Sequence, residues 1–141
     1  MKKILTVLLV LIVLLVALVI IRQLTRAEFS GLKITYLGRE FYLQKEQLAE
    51  LPFKELWADD EKFQAVDIEK ILKNFSIIPA KVRSITFISN DGGALVLKKS
   101  ELVKAFLALE EQMNKLQFRL LIPNDEFRQR WLKRVVELQV R

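Results

Sequence analysis

Three features of this 141-residue chain point to an α+β domain, mostly antiparallel or mixed β with short helices, behind one N-terminal transmembrane helix. The first is an uninterrupted apolar run from Ile4 to Ile21. The second is a series of short apolar, β-branched and aromatic runs separated by turn residues. The third is a single clear segment of helical period. About seven or eight strands and two or three short helices follow from these patterns.

Ile4 to Ile21 reads ILTVLLVLIVLLVALVII, with one Thr, no charge, no Gly and no Pro. A rod apolar on every face belongs in lipid. At about 1.5 Å per residue it spans roughly 27 Å, close to a hydrocarbon core of about 30 Å. Lys2, Lys3, Arg22 and Arg26 fence it and can reach to headgroups. A secretory signal has a shorter apolar core, about 7–15 residues, and a small-x-small cleavage site. Thr25-Arg26-Ala27 is a poor one, so the segment reads as an uncleaved anchor. A three-residue tail is easily left in the cytoplasm, which favours N-in, C-out over nearly balanced flanking charges. The organisation is then residues 1–26 as anchor, 27–32 (AEFSGL) as tether and 33–141 as the domain.

LKITYLGREFYL holds two strand-like runs about a Gly38-Arg39 turn, a hairpin. Gln44 to Leu51 is a brief helical turn closed by Pro52. FKELWA and EKFQAV flank Asp59-Asp60 as a second hairpin. Asp67 is placed as an N-cap, and Ile68, Ile71, Leu72 and Phe75 follow at helical spacing; Pro79 stops any continuation. Val82 to Ser89 is a strand, Asn90-Asp91-Gly92-Gly93 the strongest turn signal, and Ala94 to Leu97 the returning strand. Ser100 is a candidate cap for a helix beginning at Glu101, because Leu102, Phe106, Leu109, Met113 and Leu116 suit one helical face. The end of that helix stays open, since Ala105 to Leu109 (AFLAL) can also serve as a strand partner. Phe118 to Ile122 is a strand ended by the turn Pro123-Asn124-Asp125. Trp131 and Leu132 lie in a short helical or looped segment. Val136, Leu138 and Val140 alternate with polar residues in a closing half-buried strand.

The net charge of +6 shrinks to +2 once the four flanking cations of the apolar run are set aside, so the chain carries no nucleic-acid signature. The stretch from Lys115 is locally basic and reads as a solvated face. Cysteine and histidine are both absent. That excludes Cys/His zinc sites, thiol nucleophiles, Ser-His-Asp triads, disulfides and lipid attachment at an N-terminal Cys. The acid pairs Asp59-Asp60 and Glu110-Glu111 are adjacent, diverge in direction, and read as solvated surface.

Four stretches taken in order carry a family resemblance: Leu43 to Pro52 (LQKEQLAELP), Phe63 to Ile77 (FQAVDIEKILKNFSI), Ile85 to Leu97 (ITFISNDGGALVL) and Phe118 to Val140 (FRLLIPNDEFRQRWLKRVVELQV). The chain resembles the small sulfite-oxidase-type molybdopterin-binding domains, over nearly all of residues 32–141. The resemblance implies their fold and would make residues 105–109 a strand. It matches Arg119 to the family's strand arginine and Asp91 to its turn aspartate. Arg130 stands where the family commonly has Lys before the Trp. The family's metal-ligating Cys and its pterin-binding His have no counterpart here. The resemblance therefore implies a degenerate member with no metal site and no expected cofactor. Arg119, Arg128 and Arg130 are the candidates for an anionic ligand, since guanidinium forks suit phosphate.

The expected function is a membrane-anchored, extracytoplasmic, non-catalytic domain acting as a ligand- or protein-binding module. Its partners are the lipid bilayer and a cell-envelope protein or small ligand. The alternative is an oxidoreductase-related subunit that still binds molybdopterin or another anionic cofactor through those arginines.

Overall fold

A computed structural model describes residues 1–24, 28–125 and 130–141. Helix α1 (Lys2–Leu24) extends the apolar run through Lys2, Lys3 and Arg22. No side chain of the span Lys2–Arg22 is covered by the rest of the chain, and the helix is long and apolar enough to cross a membrane.

The domain is an α+β unit with a mixed, mostly antiparallel sheet. Its strands are β1 (Glu28–Phe29), β2 (Leu32–Tyr36), β3 (Arg39–Leu43), β4 (Lys54–Ala58), β5 (Glu61–Asp67), β6 (Ser84–Ser89), β7 (Ala94–Lys98), β8 (Phe106–Gln112), β9 (Lys115–Leu121) and β10 (Val135–Val140). Helices α2 (Ile68–Asn74) and α3 (Lys99–Leu102), with 3₁₀ turns at Lys45–Glu50 and Pro79–Lys81, complete it.

The closing strand is the hub. β10 lies parallel to β2, with Leu138 opposite Ile34, and antiparallel to β6, with Leu138 opposite Phe87. This gives one path β7-β6-β10-β2-β3. At its first residue, Val135, β10 also faces Phe118 of β9, which opens a second path β9-β8-β5-β4. β8 covers one edge of β9 along its whole length. The other edge of β9 receives β1 at Lys115 and Leu116, then β10, then a bond from the Leu120 amide to the Leu132 carbonyl at 2.8 Å.

Inward residues of both paths share one core. Ile34, Leu43, Ile71, Ile85, Phe87, Leu107, Phe118, Leu120 and Leu138 are fully buried. Each such side chain contributes roughly 1.5–3 kcal/mol of apolar burial. A bulge between Val135 and Glu137 shifts the pleat, so Val135, Leu138 and Val140 are buried while Val136 is only half-covered. Simple alternation back from Leu138 marks Val136 instead.

The hairpins expected at Gly38, at Asp59-Asp60 and at Asn90 to Gly93 occur there, the first with a one-residue shift, while the β8–β9 hairpin turns at Met113 and Asn114, which turn chemistry did not mark. The turn residues of the first are Leu37 and Gly38, and Arg39 already pairs with Tyr36. The residues Leu37 and Gly38, Asp59 and Asp60, and Met113 and Asn114 all have positive φ, the backbone that two-residue hairpins need. Asp67 is the N-cap residue of α2, but its carboxylate makes no cap bond. It pairs with Lys54 at 3.5 Å and Lys70 at 3.2 Å.

The helix expected to begin at Glu101, with its end left open, is only the short α3, Lys99–Leu102, and of the two readings of Ala105 to Leu109 the strand is the one that forms, from Phe106. α3 has four residues and is preceded by Lys98, not capped by Ser100; the Lys98 amide donates to the Glu101 carboxylate at 3.0 Å. Beyond it the chain is extended. β8 pairs with β5 along one edge and β9 along the other, and Leu107 and the next residue, Ala108, are both fully buried, so both of its faces are covered there. A strand covered on both faces loses its alternation, and its apolar run then mimics helical spacing. Met113, which a helix would turn to the core, is 97% exposed at the hairpin tip.

The tether also takes part in the domain. The Glu28 amide donates to the Asn114 carbonyl at 2.6 Å, and Phe29 packs edge-on to Phe118 at 5.6 Å. Leu32 is fully buried in β2.

Candidate functional site

Two of the three arginines singled out from the sequence, Arg119 and Arg130, are engaged with carboxylates of the domain itself. Arg119 on β9 lies opposite Ala108, and its Nη1 donates to Glu110 Oε1 at 3.0 Å. Its side chain is only 12% exposed and its Nε, buried, meets no acceptor. Glu110, expected as free surface, is thus half-buried and paired. Arg130 is held from two sides. Its Nε and Nη2 donate to Asp125 at 2.8 and 2.6 Å, and its Nη1 donates to Glu101 at 2.5 Å. Both carboxylates push its already high pKa further up, Asp125 more strongly. Arg128 lies outside the described residues. Arg130 spends all three of its nitrogens on two carboxylates, whereas Arg119 spends Nη1 on Glu110 and keeps its Nε buried away from any anion in solution.

Asp91 works as a turn residue. Its carboxylate accepts hydrogen bonds from the Ser89 hydroxyl and from the Gly93 amide, the latter at 3.2 Å. Those bonds, then Arg134 at 3.8 Å, hold its carboxyl below the usual range. A side chain at Gly93 would meet Ser89 Oγ at 3.0 Å and the Leu132 methyl at 3.3 Å, so the hairpin packs tightly there. Trp131 is buried; it stacks edge-on to Phe63 at 6.1 Å and donates its indole N–H to the Ile122 carbonyl at 3.0 Å. Among the described residues no three carboxylates gather as a metal site.

A recess lies elsewhere. A cleft of about 860 Å³ opens between β1, the end of β3 with the 3₁₀ turn after it, and the start of β9. Phe29, Tyr42 and Leu116 supply its apolar surface, and Glu28, Lys45, Glu46 and Lys115 its charges. One wall, β3, is an edge of the sheet. Sequence reading did not single out these residues. The cleft exists only because β1 runs parallel to β9, a pairing across more than eighty residues that leaves no local pattern. A second, mostly apolar recess of about 370 Å³ lies between α2, Pro79 and α3.

No protein-family model matches the chain, and no curated protein matches it.

Proposed function

We propose that this protein is a membrane-anchored, non-catalytic binding module that holds a peptide segment of a cell-envelope protein in the cleft beside β1. In this reading α1 crosses the bilayer N-in, C-out and the domain stands on the extracytoplasmic side. The domain is then a degenerate relative of the sulfite-oxidase-type molybdopterin fold, on the motif order given above, and binds no pterin.

The observation that carries the reading is the lining of the cleft. Its cations and anions balance, which suits a polypeptide with both donors and acceptors better than a phosphate. Tyr42 and Leu43, the last residues of the edge strand β3, stand in one wall, where backbone groups suit strand addition, while Tyr42 and Leu116 offer apolar contacts. The paired state of Arg119 and Arg130 weighs against an anionic cofactor.

Photocrosslinking in native membranes tests it. Benzoylphenylalanine in place of Tyr42 or Leu116 should give the same discrete protein adduct, and in place of Trp57, exposed on β4, should give none. Adducts equally frequent at all three positions would overturn the cleft. Stoichiometric molybdenum with pterin fluorescence in protein purified from a molybdenum-replete host would overturn the non-catalytic reading. Alkaline phosphatase fused after Arg141 should be active; an inactive fusion beside a bright cytoplasm-folding fluorescent one reverses the orientation.

A further inference from the structure

We infer that the β8–β9 hairpin tip is a second membrane contact, with Met113 inserted among lipids beside the end of α1. The inference rests on α1 being the membrane anchor and adds to it a surface that fixes the domain against the bilayer.

The argument starts from chain length. Leu24 ends α1 and Glu28 begins β1. Four residue steps reach at most about 14 Å even when fully extended. Glu28 is therefore confined to the neighbourhood of the bilayer surface. The hairpin tip is confined with it, because the Glu28 amide donates to the Asn114 carbonyl at 2.6 Å and Glu28 sits opposite Lys115 in the parallel pair.

At that tip the turn residue is apolar. Met113 is 97% exposed with φ of 50°, a position where Asn, Asp or Gly is the ordinary choice. A long, unbranched, flexible side chain fits the irregular packing near lipid headgroups. Its neighbours Gln112 and Asn114 are uncharged. Glu28 and Glu111 outweigh Lys115, so the contact is apolar and needs no anionic lipid. Leu37 provides the contrast. It is 81% exposed in an equivalent turn, but at the far end of β2, about 17 Å along the strand from the residues that follow β1.

The absence of native cysteine makes the test direct. The full chain, reconstituted in neutral phosphatidylcholine vesicles, carries a single environment-sensitive nitrobenzoxadiazole label at Met113→Cys, Lys115→Cys, Leu37→Cys or Leu11→Cys. The quencher is a nitroxide on the lipid acyl chains, carried high for the three domain positions and near the chain end for Leu11→Cys. Label at Leu11→Cys should be quenched, and label at Met113→Cys should be blue-shifted and quenched about twofold or more beyond that at Leu37→Cys. Lys115→Cys should fall between them. If Leu11→Cys is quenched while Met113→Cys and Lys115→Cys match Leu37→Cys, the hairpin contact is overturned and the anchor stands. If Leu11→Cys is not quenched, the anchor itself fails and the hairpin contact fails with it.

Discussion

Arg130 grips Asp125 through two parallel hydrogen bonds, Nε to Oδ2 at 2.8 Å and Nη2 to Oδ1 at 2.6 Å, while its third nitrogen reaches Glu101 on α3. This fork ties the turn after β9 to the short helix before β8. Arg130 is also the residue before Trp131, whose indole is bonded to Ile122. The cluster therefore sets the entry into the closing strand.

Geometry, and not charge alone, should carry that clamp. Arg130→Lys keeps the charge but loses the bidentate fork. Its melting midpoint should fall below wild type, and Arg130→Gln should fall further. Equal midpoints for the lysine variant and wild type would show that a point charge suffices.

The same cluster predicts an acid response. The Lys98 amide first, and Arg130 second, hold the Glu101 carboxyl below its ordinary value of 4.5. A group whose pKa is lower in the folded state stabilises above its unfolded pKa and loses that contribution as pH falls through the folded value. The gap in melting midpoint between wild type and Glu101→Gln should therefore be full at pH 7 and close below about pH 4.5. A gap that persists unchanged at lower pH would mean that ionisation of Glu101 does not matter.

Arg119 and Glu110 form the most enclosed ion pair among the described residues, with side-chain exposures of 12% and 26%. Removing one partner of a fully buried pair costs about 3–5 kcal/mol, and partial exposure here lowers that to about 2–3 kcal/mol for Glu110→Gln. The double variant Glu110→Leu, Arg119→Met should be more stable than either single one. Chemical denaturation of the four proteins checks this, and additive losses would contradict it.

Trp131→Ala should cost about 3–5 kcal/mol, as large aromatic truncations in cores do. Trp131→Phe keeps most of the volume but leaves the Ile122 carbonyl without its donor, at about 1–3 kcal/mol. An unmoved melting midpoint in the alanine variant would show that the indole does not close the core.

A chain starting at Ala27 keeps β1 and should fold cooperatively without α1. One starting at Lys33 loses the Phe29–Phe118 contact and the fully buried Leu32. Loss of a buried leucine alone costs about 2–5 kcal/mol, so the shorter chain should melt well below the longer. Equal midpoints would make residues 28–32 a passive tether.

Features legible in the amino-acid order are those whose cause is local. An apolar run with cations at both ends needs lipid whatever follows it. Gly38, Asp59-Asp60 and Asn90 to Gly93 bend the chain because their own backbone preferences allow positive φ or tight turns, and the residues on either side pair as immediate neighbours. Ile68, Ile71 and Leu72 bury one face of α2 at the spacing that marks it.

Tertiary structure decided the rest, because the deciding partners are distant. Residues 106–112 have an apolar run compatible with helix or strand, and only the flanking β5 and β9 make them extended. The place of β10 between β2 and β6 depends on pairings across fifty to one hundred residues. Arg119 and Arg130 look alike in the sequence as free cations; Glu110 faces Arg119 once β8 and β9 have paired, and Glu101, far along the chain from Arg130, joins the nearby Asp125 on it only in the folded domain. Hydrophobic period and turn chemistry act over a few residues, whereas sheet partners and ion pairs are chosen by the whole folded chain.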